Sequence, residues 1–206
     1  MTGGAGRKGH KRDEKGAEMA HQSEIYFEDY KKFMDILIYD ASAAQKELTQ
    51  SDTQGKGRTY VRAVFALFEG DTFQRKRLAL MRHEQAQEEF SEAELALLRE
   101  EQYVLTKTGE VKIQKKFLKL ADNLRFSFRA VAKAFRSGYE LNVGGSGWES
   151  FRKAVDIRNR IVHPKCLSDL EVTEEDIEHI RAAVAWYQKS ALDLFKSCVH
   201  DGTRSG

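Results

Sequence analysis

The chain has 206 residues, a formal net charge of +2, 32% charged residues and 10% aromatic residues. This length suits one domain with a substantial core, and the near-neutral charge dictates no class of partner. No apolar run approaches the roughly 18–20 residues that span a bilayer, and residues 1–23 lack the apolar core of a secretory signal.

The cysteines and the single proline indicate the redox state of the thiols and the length of the helices. The two cysteines, Cys166 and Cys198, show no metal-ligand spacing, so we expect reduced thiols and a cytoplasmic location. The chain has one proline, Pro164, which indicates long elements without helix breakers.

The first half of the chain predicts a disordered tail followed by two long helices. Residues 1–22 are rich in Gly, Lys, Arg, Asp and Glu, which predicts a disordered basic tail, either solvated or in contact with nucleic acid. Apolar residues recurring every three or four positions predict a helix over about 24–48. A second helix is predicted from about Thr59 past Glu84, and its apolar stretch 61–68 marks it as central and buried.

A short helix, a hairpin and a third long helix are predicted next. Ser91 and Glu94 are typical of a capped helix start, and two short runs flanking Thr108-Gly109 predict a small β-hairpin. The third long helix is predicted over 115–136. It would carry an apolar stripe and, opposite it, a basic stripe that is either a solvated face or a track for the RNA backbone. The basic stripe consists of Lys115, Lys119, Arg125, Arg129, Lys133 and Arg136.

Two helices are predicted to close the domain. One spans about 148–162 and ends at His163, because Pro164 disfavours the α conformation for the residue before it. The last begins at Thr173, where Thr173 and Asp176 resemble a capping box. The prediction is an all-α, up-and-down bundle of about five helices with a small inserted β-hairpin. It forms one domain over 23–200, followed by a disordered tail over 201–206.

The helix before Pro164 holds the most informative residues. At about 100° per residue, Arg158 falls in the middle of the apolar stripe, where an unpaired guanidinium costs several kcal/mol or more. Asn159 and His163 are four residues apart and share a face. His163 lies at the negative end of the helix dipole, which favours an imidazolium. The alternative is a structural buried arginine beside a histidine that caps the helix.

These residue types suit metal-independent RNA cleavage. An imidazole exchanges protons near neutral pH, and an arginine can hold a pentavalent phosphate through paired hydrogen bonds. The other histidines are scattered, with no HExxH motif, and no nucleophile elbow is present, so metal-dependent and serine or cysteine hydrolase chemistry have no support. We expect no cofactor and no metal site.

The sequence Arg158-Asn159-x3-His163-Pro164, after a helix inside an all-α domain, resembles the HEPN superfamily and its Arg-x4–6-His motif. The resemblance implies a homodimeric endoribonuclease, often a toxin or an antiviral defence protein, with two motifs meeting at the dimer interface. It implies catalytic roles for Arg158 and His163, with Asn159 positioning the phosphate. An antitoxin protein is a possible partner under this resemblance. Some toxins of the superfamily carry a modified tyrosine at the position of Lys165, so that mode of control does not transfer.

Several further residues complete the predicted site. Glu69 and Arg62, seven residues apart on the second helix, form either a buried ion pair between helices or a support for Arg158. Arg160 and Lys165 flank the motif and join the basic stripe as predicted RNA contacts. The motif helix and the last helix are the predicted dimer interface. The alternative function is a non-catalytic module that binds RNA, a nucleotide or a protein.

Overall fold

The computed structural model describes residues 7–50, 53–86 and 90–202. The described part is an all-α fold with one two-stranded antiparallel sheet, which confirms the predicted class. The elements are α1 (Arg7–Gln50), α2 (Gln54–Ala86), α3 (Glu92–Leu98), β1 (Glu101–Leu105), β2 (Val111–Lys115), α4 (Leu120–Ala134), α5 (Ser146–Val162), a 3₁₀ turn (Leu167–Leu170) and α6 (Glu174–Gly202).

Helix α1 begins at Arg7, well before the predicted start near Glu24. The segment between them contains no proline and is rich in Lys, Arg, Glu and Ala, which are good helix formers. The predicted tail over 1–22 is therefore helical in backbone from Arg7 onward, and residues 1–6 lie outside the described part. Of the tail predicted over 201–206, residues 203–206 also lie outside it.

Helix α2 is the central element, as its apolar stretch predicts. Val61, Val64, Phe65 and Phe68 are all buried, and α1 and α4 pack along α2. The Phe68 ring lies 5.5 Å from Phe151 of α5 and 4.6 Å from Tyr187 of α6, centroid to centroid. One aromatic residue of α2 thus joins the core to both C-terminal helices.

A buried polar cluster crosses the bundle in the second half of α2. Asp71 accepts hydrogen bonds from Tyr30 of α1 at 2.9 Å, Tyr187 of α6 at 2.6 Å and Arg75 at 2.5 Å. The Arg75 side chain is fully buried, and its guanidinium carbon lies 4.1 Å from the centre of the Phe128 ring of α4. One carboxylate therefore links side chains from three helices, and a fourth helix covers the arginine.

Helix α4 is shorter than the predicted helix over 115–136. The amide of Lys116 donates to the carbonyl of Glu100 at 2.7 Å, which extends the hairpin by one bond and delays the helix. Lys115 therefore lies at the end of β2, and Lys119 is the N-cap of α4. Phe117, which falls within the predicted helix over 115–136, precedes α4 and is 86% exposed.

Helices α5 and α6 pack along each other. The Trp186 side chain of α6 packs against Gly147 of α5. The centroid of the Trp186 ring lies 5.4 Å from that of Trp148 and 5.5 Å from that of Phe151. The predicted cap of α6 forms, because the Asp176 amide donates to Thr173 Oγ1 and the Thr173 amide donates to Asp176 Oδ2. The apolar stripes that suggested a dimer interface are largely buried against each other within the chain.

Candidate functional site

His163 lies at the end of α5, as predicted. Its backbone leaves the helix with φ −125° and ψ 57°, and its amide still donates to the carbonyl of Asn159 at 3.0 Å. The His163 residue is exposed. The imidazole is therefore presented to solvent one helical turn beyond Asn159.

Arg158 is held by two side chains. Its Nη2 donates to Glu69 Oε1 at 2.6 Å, and its Nη1 donates to Asn159 Oδ1 at 3.1 Å. The side chains of Arg158 and Glu69 are 27% and 46% exposed. Of the two interpretations of Glu69, the structure supports contact with Arg158. It corrects the expected burial, because the pair lies at the surface of a cleft.

Arg62 takes no part in this contact. It is an exposed residue on α2, two turns before Glu69. The ion pair that joins two helices is the one from Glu69 of α2 to Arg158 of α5, and it is partly exposed where the prediction had it buried.

A cleft of about 810 Å³ lies beside Arg158. It is formed by α2, α5, the start of α4 and the end of the hairpin, and it brings Arg158, Asn159 and Glu69 together. His163 and Arg62 are not among its lining residues. The remaining lining residues are Phe65, Glu100, Phe117, Leu118, Lys119, Leu120, Ala121, Asn123, Arg152, Val155 and Asp156.

The cleft has a balanced charge. Three cations, Arg152, Arg158 and Lys119, face three acids, Glu69, Glu100 and Asp156. An anionic ligand would therefore depend on local contacts with the cations and would gain little from the net field.

Several cleft residues were not predicted. Arg152 and Asp156 precede the predicted Asn159 on α5 at spacings of four and three, so the three residues share a face, a signal that the sequence contains. Glu100 gives no such signal. Its backbone adopts φ +59°, and its carboxylate accepts from the buried Lys76 Nζ at 2.5 Å.

The predicted RNA-contacting residues do not form one stripe. Lys119 lines the cleft, whereas Arg125, Arg129 and Lys133 line a separate groove along α4. Lys133 also donates to Glu94 of α3 at 2.8 Å. Two others lie beyond the helix at its opposite ends, where Lys115 is exposed on β2 and Arg136 follows α4 with φ +53°.

Arg160 and Lys165 help to order the loop after His163. Arg160 donates to the carbonyls of Asp169 and Glu171 and to the carboxylate of Asp176. The Lys165 amide donates to Asp169 Oδ2 at 2.7 Å, and this bond holds the pKa of Asp169 below its usual value. Arg160 thus has a structural role that the prediction of RNA contact did not include.

The same loop is tied to the start of α2. Arg58 Nη1 donates to the Leu170 carbonyl at 2.8 Å, and the Gln54 side-chain amide exchanges two hydrogen bonds with the backbone of Val172. These contacts fix the chain that leads away from His163 relative to the central helix.

Among the residues that the structure describes, no three His, Cys, Asp or Glu side chains cluster where they could hold a metal ion, and no helix has the length and apolar content of a membrane span.

The geometry defines an all-α domain with an arginine-lined cleft and a histidine at the adjacent helix end. No family model, curated protein or solved structure matches this chain. The resemblance to the HEPN superfamily therefore rests on the residues of the motif and on the helical fold.

Proposed function

We propose that the protein is a metal-independent endoribonuclease of HEPN type. The observation that carries the proposal is the placement of Arg158, which Glu69 and Asn159 hold in the wall of a cleft. His163 lies exposed at the end of the same helix. A guanidinium held in place and an exposed histidine on the same helix are residue types that suit phosphate-ester chemistry.

In the proposed reaction the ribose 2′-OH attacks the adjacent phosphorus. A base removes the proton of the 2′-OH, a proton is delivered to the departing 5′ oxygen, and the P–O5′ bond breaks. The products are a 2′,3′-cyclic phosphate and a 5′-hydroxyl end. His163 serves as general acid or base, Arg158 stabilises the charge on the pentavalent phosphate, and Asn159 positions Arg158 and the phosphate.

The proposed site is completed by a second copy of the chain. His163 does not line the cleft that Arg158 lines, so one chain offers the two groups to neighbouring surfaces. A homodimer in which two motifs meet, as the resemblance implies, would bring both groups to one phosphate. A toxin or phage-defence role in the cytoplasm, with an antitoxin as partner, follows from the resemblance alone.

A cleavage assay tests the proposal. Wild type, His163→Ala, Arg158→Ala and the control His179→Ala would be incubated with end-labelled RNA in EDTA. His179 suits the control because it is a histidine on a different helix, α6, outside the motif. Its Nε2 lies 3.2 Å from Lys153 Nζ. We expect wild type and His179→Ala to leave 2′,3′-cyclic phosphate ends and the two motif variants to leave RNA intact. Inert wild type, or equal cleavage by His163→Ala, would contradict the proposal.

A second candidate is a non-catalytic binding module. It is favoured by the engagement of both terminal nitrogens of Arg158 by Glu69 and Asn159, which gives the guanidinium a structural role. It predicts that Arg158→Ala lowers the thermal stability and that His163→Ala changes no measured property of the protein. Thermal unfolding of the same two variants separates the two candidates.

A further inference from the structure

The hairpin presents its apolar face to solvent. Tyr103 pairs with Ile113 and Leu105 pairs with Val111 across the two strands, so all four side chains lie on one face, where they are 55% to 73% exposed. The alternate positions on β1, Gln102 and Val104, are half-buried. In a hairpin with one face in water, polar side chains normally occupy the solvent face and apolar side chains the covered face. An apolar face of this kind marks an interaction surface, which we call the hairpin face.

Helix α1 carries a second unpartnered apolar surface. Ile36 and Tyr39 are 62% and 72% exposed and lie three residues apart on the side of α1 opposite the core-facing Tyr30 and Leu37. We call this pair, with its flanking residues, the α1 face. Ten of the sixteen exposed large apolar side chains in the described part of the chain lie on α1 or the hairpin, so the unburied apolar surface is concentrated there.

The two faces carry opposite charge. Residues 101–116, which contain the hairpin, hold four lysines and two glutamates. Residues 24–40 of α1 hold five acids and two lysines, and Asp35 and Asp40 directly flank the apolar pair. An apolar surface flanked by basic residues and one flanked by acidic residues attract each other. Two copies of the same face would repel each other, because their charges have the same sign.

We propose that the hairpin face of one copy of this chain docks on the α1 face of a second copy. The four apolar side chains of the hairpin would cover Ile36 and Tyr39, and Lys107 and Lys115 would approach Asp35 and Asp40. The two faces complement each other in both polarity and charge, which identifies the occupant as another copy of the same chain. A two-stranded ribbon is marginally stable in water by itself, so the docked copy also stabilises the hairpin.

The proposed docking places a second copy near the cleft, but it does not require the cleft to cleave RNA. Glu100 and Phe117, which immediately flank the hairpin in sequence, both line the cleft, so a copy seated on the hairpin lies close to its mouth. Association can be measured whether or not the protein cuts RNA. A dimer that the face variants leave unchanged would overturn the docking alone, whereas a wild type that stays monomeric would also contradict the second copy that completes the proposed ribonuclease site.

The first test measures the oligomeric state of three double variants by light scattering and sedimentation. Leu105→Ser with Ile113→Ser alters the hairpin face, and Ile36→Ser with Tyr39→Ser alters the α1 face. Leu167→Ser with Val199→Ser is the matched control, because these side chains are 81% and 70% exposed outside both faces. We expect the two face variants to weaken association about tenfold or more and the control to match wild type. Circular dichroism confirms that each variant is folded.

The second test mixes the two face variants. The hairpin variant keeps an intact α1 face, and the α1 variant keeps an intact hairpin face. In the mixture these two intact faces can dock on each other, so we expect a heterodimer, although neither variant dimerises by itself. Raising sodium chloride from about 0.1 M to about 1 M shortens the Debye length from about 10 Å to about 3 Å and should weaken the wild-type complex.

Three outcomes would overturn the proposal. One is a wild-type protein that stays monomeric at all soluble concentrations. This outcome would count against the proposal even if the monomer bound vesicles of anionic lipid through its hairpin. Another is a dimer that either face variant leaves unchanged, which would place the interface elsewhere. The third is a mixture of the two monomeric variants that yields no heterodimer.

Discussion

Asp71 links three helices in the interior of the bundle. It accepts hydrogen bonds from Tyr30, Tyr187 and Arg75, and the Arg75 side chain has no exposed surface. A fully buried guanidinium is tolerated because this carboxylate balances its charge and the ring of Phe128 lies against it.

We expect Asp71→Asn to lower the free energy of unfolding by about 3–5 kcal/mol, because it leaves a buried cation without its counter-ion. Urea unfolding followed by circular dichroism measures the change. The matched control, Glu84→Gln, removes an exposed charge from the same helix and should change the stability by less than about 0.5 kcal/mol. A loss under about 1 kcal/mol for Asp71→Asn would show that the cluster does not require the charge.

Glu69 has a different role, because its pair with Arg158 is partly exposed. A surface ion pair contributes about 0–1 kcal/mol to stability, so Glu69→Gln should leave the unfolding transition nearly unchanged. Under the proposed function, it should lower kcat for RNA cleavage about tenfold or more, because the guanidinium loses the group that orients it. Glu69→Asp should restore part of the rate. Unchanged kcat in Glu69→Gln would remove Glu69 from the proposed site.

The sequence indicated Arg158 and His163 but not Arg75. Arg158 stood out because it interrupts an apolar stripe, and Glu69 on the second helix was its predicted partner. Arg75 lies in the run Asp71-Thr72-Phe73-Gln74-Arg75-Lys76, which has the polar composition of an exposed helix face. Its burial arises from α1, α4 and α6 converging on α2, which no local pattern records.

At the scale of elements, boundaries were harder to predict than the elements themselves. The predicted start of α4 near residue 115 is wrong, because Phe117 and Leu120 continue the apolar spacing of the helix back towards the hairpin, whereas the helix begins at Leu120. The single bond from Lys116 to the Glu100 carbonyl decides the boundary. The helix ends beside Ser91, Pro164 and Thr173 were predicted correctly, because capping residues and proline act locally.

The seam between α5 and α6 depends on one glycine. A Cβ atom on Gly147 would lie 2.5 Å from Trp186 Cδ1 and 2.6 Å from its Cβ, so Gly147→Ala must displace one helix from the other. We expect it to lower the free energy of unfolding by about 1–3 kcal/mol, as overpacking does. Thermal or urea unfolding measures the loss.

Gly55→Ala is the matched control for this seam, because nothing lies within 4 Å of a Cβ built there. It should be neutral or slightly stabilising, since alanine favours helix. Equal stability of the two variants would mean that α5 and α6 can separate freely at this end.

For the molecule as a whole, the buried tyrosine hydroxyls affect how stability changes at alkaline pH. Five of the seven tyrosines have a raised pKa, and in each case burial is the largest cause. Burial raises the pKa of Tyr26 to about 12. The pKa of Tyr30 and that of Tyr187 are raised by burial and further by the charge of Asp71. These two tyrosines belong to helices α1 and α6, which the Asp71 cluster holds together.

The alkaline unfolding of the protein should therefore be steep and cooperative. An unfolded tyrosine loses its proton near pH 10, whereas the folded state keeps it, so the stabilising contribution is complete below about pH 10 and is lost as the pH rises through the folded pKa. Tyr30 and Tyr187, the two that donate to Asp71, each lower the free energy of unfolding by up to about 1.4 kcal/mol per pH unit in that window. We expect tyrosinate absorbance at 295 nm to rise together with the loss of helical circular dichroism, and Tyr187→Phe to reduce the pH slope by about one tyrosine's contribution. Complete tyrosine ionisation near pH 10 with the helical signal intact would contradict the buried cluster.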